Sequence, residues 1–201
     1  MPFLDVRSLV SNRPLTRTYL RFGLVLLCVY VVLYGVTQWV EAVRGLSETA
    51  AGLLLLPMTL VSGVVIAPIS RRNLMRGPIT AATVTCLAGS AAVLALSASA
   101  WLGWVVVVTI IFGISMGAAA SGNQTALYAF ASADQLGTAA GLMRTFGYVG
   151  SIGASAVTGV VFHAGVSDHG MHLVAGIMIG VSLFVLAMTL VDRTLSALPA
   201  S

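Results

Sequence analysis

The sequence predicts an all-α integral membrane protein built as a bundle of six transmembrane helices. Three observations carry this expectation. Of 201 residues, 58% are hydrophobic and only 8% are charged, against roughly 25% charged in an average soluble domain. A water-soluble fold of this size could not cover its own surface with so few charges. The apolar residues also fall into six runs of membrane length, a span requiring about 20. Finally, the runs are continuous, whereas a membrane β-barrel alternates in segments of about ten residues. The same composition excludes a disordered chain, a typical cytosolic enzyme and a secreted disulfide scaffold.

Residues 1–19 mix Arg7, Arg13 and Arg17 with Leu4, Leu9 and Val10. They read as a cytoplasmic approach segment, in part lying along the inner membrane surface. A signal peptide does not fit, because the first apolar run is long and no small-residue cleavage site ends it. The bundle occupies 20–195, with spans at about 20–41, 50–70, 79–99, 101–130, 138–162 and 171–191, and 196–201 forms a cytoplasmic tail. Pro57 falls near the middle of the second span, where it removes a backbone hydrogen bond. Gly77-Pro78 closes the turn into the third span, and Asp134 or Thr138 can cap the fifth helix. Cys28 and Cys86 lie inside apolar runs and are expected to be free thiols. Without a Cys/His cluster of ligand spacing, neither a metal nor a cofactor is expected.

All ten basic residues are arginine, and the net charge is +4. They are dispersed between apolar runs, which suits membrane orientation rather than nucleic-acid binding. Arg7, Arg13, Arg17 and Arg21 precede the first span, and Arg71, Arg72 and Arg76 lie between the second and third. Arg144 and Arg193 fall on the same side, and only Arg44 falls opposite. That bias places both termini of a multi-pass membrane protein in the cytoplasm.

Polar groups in hydrocarbon usually face a protein interior or a water-filled cavity. In the first span Tyr30, Tyr34, Gln38 and Glu41 recur at helical spacing, within about one quarter of the circumference, with Thr37 beside them. Glu41 has two readings: a proton-linked carboxylate on a substrate-facing wall, or an interfacial acid in water. The fourth span carries Gly113, Gly117, Ser121, Gln124 and Tyr128 on one stripe, with Asn123 alongside. Its glycines allow another backbone to approach closely. From Trp101 to Gln124 is about 35 Å of helix, against a hydrocarbon core of about 30 Å. Asn123, Gln124 and Tyr128 therefore belong near the inner boundary, where Arg144 of the fifth span can join them in a polar cluster at the inner mouth. The other reading gives the amides loop or phospholipid partners and makes Arg144 an orientation-setting residue. In the fifth span Arg144, Tyr148, Ser151, Ser155 and Thr158 share one face, and Gly147, Gly150 and Ala154 form a close-contact face. Tyr30, Tyr34, Gln38, Ser151 and Ser155 are the expected substrate-pathway residues. Polarity thus points to the first, fourth and fifth spans as lining, with the third and sixth towards lipid and the second undecided. His163, His169 and His172 gather at one outer junction, either as pH sensors or as solvated loop residues.

Four stretches carry a family resemblance: GLSETAAGLLLLPMTL (45–60), RRNLMRGPIT (71–80), GNQTALYA (122–129) and DQLGTAAGLMRTFGYVGSIGASAVTG (134–159). In this order on six spans they resemble the carboxy-terminal half of a major facilitator superfamily transporter, and within it the fourteen-helix drug/proton antiporters. The resemblance implies a cavity lined by the first, second, fourth and fifth helices, with the third and sixth peripheral. It implies multidrug efflux by alternating access, powered by a proton gradient, with membrane lipid and a small-molecule substrate as partners. The Arg71–Pro78 loop is similar to the family's cytoplasmic loop motif but lacks its Asp, so no gating charge pair is assigned. The family's coupling acids and glycine/proline antiporter motif lie mainly in an amino-terminal half that these stretches do not match. The resemblance therefore implies a fragment of a longer transporter whose partner is the missing half. The alternative is a stand-alone six-helix protein acting as a homodimer or with a separately encoded half. An enzyme is not expected, since no nucleophile–base pair, metal motif or phosphate loop is present.

Overall fold

A computed structural model describes residues 12–196. Leu4, Arg7, Leu9 and Val10 of the approach segment, and residues 197–201 of the tail, lie outside the described residues. Six long helices make up the described chain: α1 (Arg13–Ala42), α2 (Glu48–Arg71), α3 (Arg76–Val93), α4 (Gly103–Phe130), α5 (Leu136–Val161) and α6 (Asp168–Val191). No strand occurs among the described residues. By length and composition α1, α2, α4 and α6 can cross a membrane unaided. The two others are diluted by their own chemistry: α3 is short and opens on Arg76, and α5 is rich in Gly, Ser and Thr and carries Arg144.

Local signals explain several ends. Asn12, Ser47 and Ser167 each accept a hydrogen bond from the backbone N–H three residues on, capping α1, α2 and α6. Glu48 and Asp168 follow their caps, with favourable charge for a helix N-terminus. Neither Asp134 nor Thr138 caps α5, which starts at Leu136 without a side-chain cap. Two larger departures from the expected spans have physical causes. The first helix starts at Arg13 rather than near residue 20, because Asn12 caps it and Arg21 has a buried partner. The third ends at Val93 rather than near residue 99, because the backbone of 94–102 is held by side chains from other helices.

α1 and α4 lie side by side at the centre. α5 packs chiefly along α1 and α2 chiefly along α4, as two wings, while α3 sits against α4 and α6 behind them. Lipid tails are as apolar as leucine, so helix association in a membrane rests on close packing. Glycines supply it at both wings. A Cβ at Gly113 would lie 2.6 Å from the Met58 carbonyl oxygen, and one at Gly117 would lie 2.6 Å from that of Ser62. On the other side Gly23 and Gly150 bring the α1 and α5 backbones together, and a Cβ at Gly23 would lie 2.7 Å from the Phe146 carbonyl oxygen. The close-contact face expected for the fifth span is thus seated on α1. At the back, Cys28, Cys86 and Ser90 converge on Ser182 at 3.8, 3.3 and 3.1 Å, joining α1, α3 and α6 through a buried thiol–hydroxyl cluster. The polar face of the third span therefore points inward, and the two cysteines are free and buried.

Each end of the bundle is tied by a polar lock. At the arginine-bearing end, Asp192 accepts from Arg17 at 2.9 Å and from Arg21 at 2.7 Å, joining the start of α1 to the end of α6. Arg21 is only 1% exposed, so it serves here as a buried ion partner rather than a solvated flank of the span. Burial alone would raise the Asp192 carboxyl pKa, but hydrogen bonds from Thr194 and Arg17 and the Arg21 charge outweigh it. The net pKa is below the ordinary carboxylate value. At the opposite end Arg44 donates to the carbonyls of Ser97, Ala98 and Ala100 at 3.1, 2.7 and 2.7 Å. Asp168 accepts from the Trp39 indole and from the Ala98 amide, each at 2.8 Å. His172 lies 2.9 Å from the Leu96 carbonyl. Arg44 and His172 are therefore engaged with the 94–102 segment rather than left to solvent.

Gly117→Ala is expected to lower the melting temperature in detergent through an overpacking cost of about 1–3 kcal/mol. Gly63→Ala, which meets nothing within 4 Å, should leave it unchanged or slightly raised. Asp192→Asn strips a buried arginine of its counter-charge and should cost about 3–5 kcal/mol, whereas the double change Arg21→Met/Asp192→Leu should recover most of that. Because the folded carboxyl pKa is depressed, the Asp192 contribution is fully present above its unfolded value. It is lost only as pH falls through the lower folded value. Wild type and Arg21→Met/Asp192→Leu should therefore show the same flat thermal stability between about pH 5 and 8.

Candidate functional site

The polar residues expected to line a pathway lie largely in one groove between α1 and α5. Its first recess, about 360 Å³, is lined by Leu33, Tyr34, Thr37, Gln38, Ser155 and Thr158. A second, about 240 Å³, is lined by Phe22, Leu26, Tyr30, Arg144, Gly147 and Tyr148. The Tyr30 and Tyr34 rings, 5.7 Å apart between centroids, connect the two. Spacing places both tyrosines on one face, and the backbone then modifies that face: Val32–Val36 forms a single π turn inside α1. Such bulges recur at functional sites and change the facing of the residues that follow. Gly35 sits in this turn with Thr158 of α5 against it, where a Cβ would be 3.3 Å from the threonine methyl.

Tyr34, Gln38 and Ser155 thus share a recess, and Tyr30 shares the next with Arg144. Ser151 is half-buried on α5 and lines neither recess, and Glu41 lines neither as well. The four residues expected at an inner mouth do not form one cluster. Gln124 donates to the Tyr128 hydroxyl at 3.0 Å, one helical turn along α4. That pair borders a third recess, about 170 Å³, with Ser70, Asn73, Ser121 and Thr125, at the end of α2. Arg144 is on α5, which packs chiefly along α1, so it belongs to the α1–α5 groove instead. Asn123 is buried and donates to the Ala119 carbonyl at 2.8 Å, while its Oδ1 has no protein partner. It is a core amide and lies off the surface that Gln124 and Tyr128 share.

Sequence reasoning missed several lining residues. Phe22, Leu26 and Leu33 are apolar and carried no polarity signal. Ser70, beside the arginine-rich turn, was read only as a helix end, although its hydroxyl lies 2.8 Å from that of Ser121. Thr37 is legible in the sequence as a flank of the first-span stripe, and Tyr148 and Thr158 as members of the fifth-span polar face. The three recesses take their lining from α1, α2, α4, α5 and the turn after α2, and none from α3 or α6. On α6 the exposed face carries Leu173, Ile177, Phe184 and Leu190, suited to lipid. Nothing in the groove pairs a nucleophile with a base; hydroxyls, amides, aromatic rings and one arginine can bind and guide an amphipathic molecule.

A helical bundle with apolar outer faces and an open-sided groove of mixed polar, aromatic and aliphatic lining defines a multi-pass membrane protein. The family model described as Major Facilitator Superfamily matches residues 1–155, and this chain belongs to that superfamily. It is also 27% identical, over 165 residues, to an uncharacterized MFS-type transporter, YwoD, of Bacillus subtilis (strain 168). The match covers 80% of this chain and 36% of that relative, so the chain spans little more than a third of its length. The bundle corresponds to half of a major facilitator fold.

Proposed function

We propose that this bundle is the carboxy-terminal half of a secondary active transporter that exports small amphipathic or drug-like compounds in exchange for protons. The observation that carries the reading is the α1–α5 groove, where Tyr34, Gln38 and Ser155 line one recess and Tyr30 and Arg144 the next. Exposed polar and aromatic side chains along a membrane helix are costly against lipid, and a second helical half would cover them. The length of the Bacillus relative supports this, since a chain of that size holds more than one such bundle. Alternating access would rock this bundle against the second half about the groove. Each half would stay rigid, this one through its glycine crossings and polar locks.

The arginine-bearing end faces the cytoplasm of a bacterial inner membrane in this reading, following the bias of basic residues. Energy comes from the proton gradient, with no bound cofactor. Glu41, at the opposite end of α1, is the proton-linked acid on this side of the transporter. The mixed lining of Tyr, Gln, Ser and aliphatic side chains suits amphipathic compounds, because a mostly apolar pocket with few polar groups fixes orientation without demanding one shape.

Export of a fluorescent amphipathic dye that carries hydrogen-bond acceptors, from cells making the full-length transporter, tests this. Gln38→Leu and Arg144→Leu should each reduce the initial export rate about tenfold or more at equal membrane abundance, equivalent to about one hydrogen bond lost on the pathway. Glu41→Gln should weaken the dependence of export on external pH. Wild-type export by both leucine variants would remove the groove from the pathway.

A further inference from the structure

The recess between α2 and α4 at the arginine-bearing end differs in chemistry from the groove. Every lining residue is polar, and its hydroxyls and amides form a set rich in unused donors. Ser70 and Ser121 share one hydrogen bond at 2.8 Å, which leaves one of the two hydroxyl protons free. Gln124 donates one amide hydrogen to the Tyr128 oxygen and keeps a second, and the Tyr128 proton is free as well. Asn73 adds an amide from the turn, where its positive φ of 47° closes the end of α2. No carboxylate lines the recess.

The charged residues of the adjoining α2–α3 turn are all basic. Arg71 and Arg72 stand between Ser70 and Asn73 in the chain, and Arg76 opens α3 immediately after the turn. All three are exposed, and none makes an ion pair among the described residues. At this end Asp192 is consumed by Arg17 and Arg21, and Asp134, exposed in the turn after α4, does not line the recess. A small polar recess rich in donors, at a turn that carries three exposed arginines, is chemically a site for a phosphate-bearing anion. From the recess towards the middle of α2, Val64 and Leu60 are exposed on one face, a surface on which acyl chains can lie. Basic pockets between membrane helices at the basic end of a protein take lipid head groups.

We propose that the α2–α4 recess, with Arg71, Arg72 and Arg76, binds the phosphate of an anionic phospholipid head group. The lipid staples the end of α2 to α4 below the Gly113 and Gly117 crossing. This rests on the membrane reading of the fold and not on export, so a failure of the transport assay leaves it standing.

The test uses the protein purified at its native full length in a nonionic detergent. Phosphatidylglycerol, phosphatidylcholine and inorganic phosphate are titrated separately, with retained lipid read by native mass spectrometry and melting temperature read in parallel. Phosphatidylglycerol should bind and raise the melting temperature at lower concentration than phosphatidylcholine. The triple variant Arg71→Gln/Arg72→Gln/Arg76→Gln should weaken that binding about tenfold or more. Gln124→Glu, which puts a carboxylate on the recess at an exposed position, should do the same. If inorganic phosphate protects equally well and loses its effect in the same variants, the anion site stands and its ligand is soluble phosphate. Equal binding of phosphatidylglycerol to wild type and to both variants would overturn the site. So would equal effects of phosphatidylglycerol and phosphatidylcholine without protection by phosphate. Should Gln124→Glu fail to fold, the arginine variant, confined to an exposed turn, decides alone.

Discussion

Backbone-to-backbone contact at the glycine crossings is the constraint on which the rest of the bundle depends. Gly113 and Gly117 admit α2 to α4, and Gly23 and Gly150 admit α5 to α1. Where no hydrophobic force draws helices together, close contact of small residues supplies dispersion over a long interface. The two wings are otherwise thinly attached, since α2 packs chiefly on α4 and α5 chiefly on α1. That attachment leaves the opposite sides of α2 and α5 open and sets the width of the α1–α5 groove. A bundle held this way can move as a body, because the wings meet the centre at backbone crossings that cannot repack by rotamer changes.

The arginines do two kinds of work. Some are free at one end of the bundle and suit the surface of a membrane leaflet, as Arg71, Arg72 and Arg76 do. Others are structural: Arg21 is spent on Asp192, and Arg44 on three carbonyls of the 94–102 segment. A buried ion pair gains little net stability over an apolar pair but penalises every arrangement that separates its members. The Arg21–Asp192 pair at one end of α1 and α6 and the Trp39–Asp168 hydrogen bond at the other fix the register of those helices, which in turn holds Tyr30, Tyr34 and Gln38 at set depths.

Much of this was legible in the sequence. Continuous apolar runs gave six helices, and the glycine stripes of the fourth and fifth spans marked both crossings because small residues at that spacing have one main use in a membrane. The first-span stripe led to the groove, since polar side chains on an apolar helix need a shared shelter. The losses are equally physical. Pairings over long sequence distance, such as Arg21 with Asp192, leave no local periodicity, so the arginine was read as a flank of the span. The π turn at Val32–Val36 depends on packing against α5 and has no composition cue. The expected inner-mouth cluster failed because depth along a helix can be counted from sequence, whereas the partner of each helix face cannot. Arg144 and Gln124 belong to different helix pairs.

The central claim is that the α1–α5 groove is an aqueous surface and the outer face of α6 is not. Single cysteines at Gln38, Ser155 and Ile177 in the full-length transporter, in native membranes, can be exposed to a charged maleimide. Cys28 and Cys86 are buried and should stay silent. The account predicts labelling of Gln38→Cys and Ser155→Cys at least tenfold faster than Ile177→Cys, slowed by an exported compound. Equal, slow labelling at all three positions would contradict it.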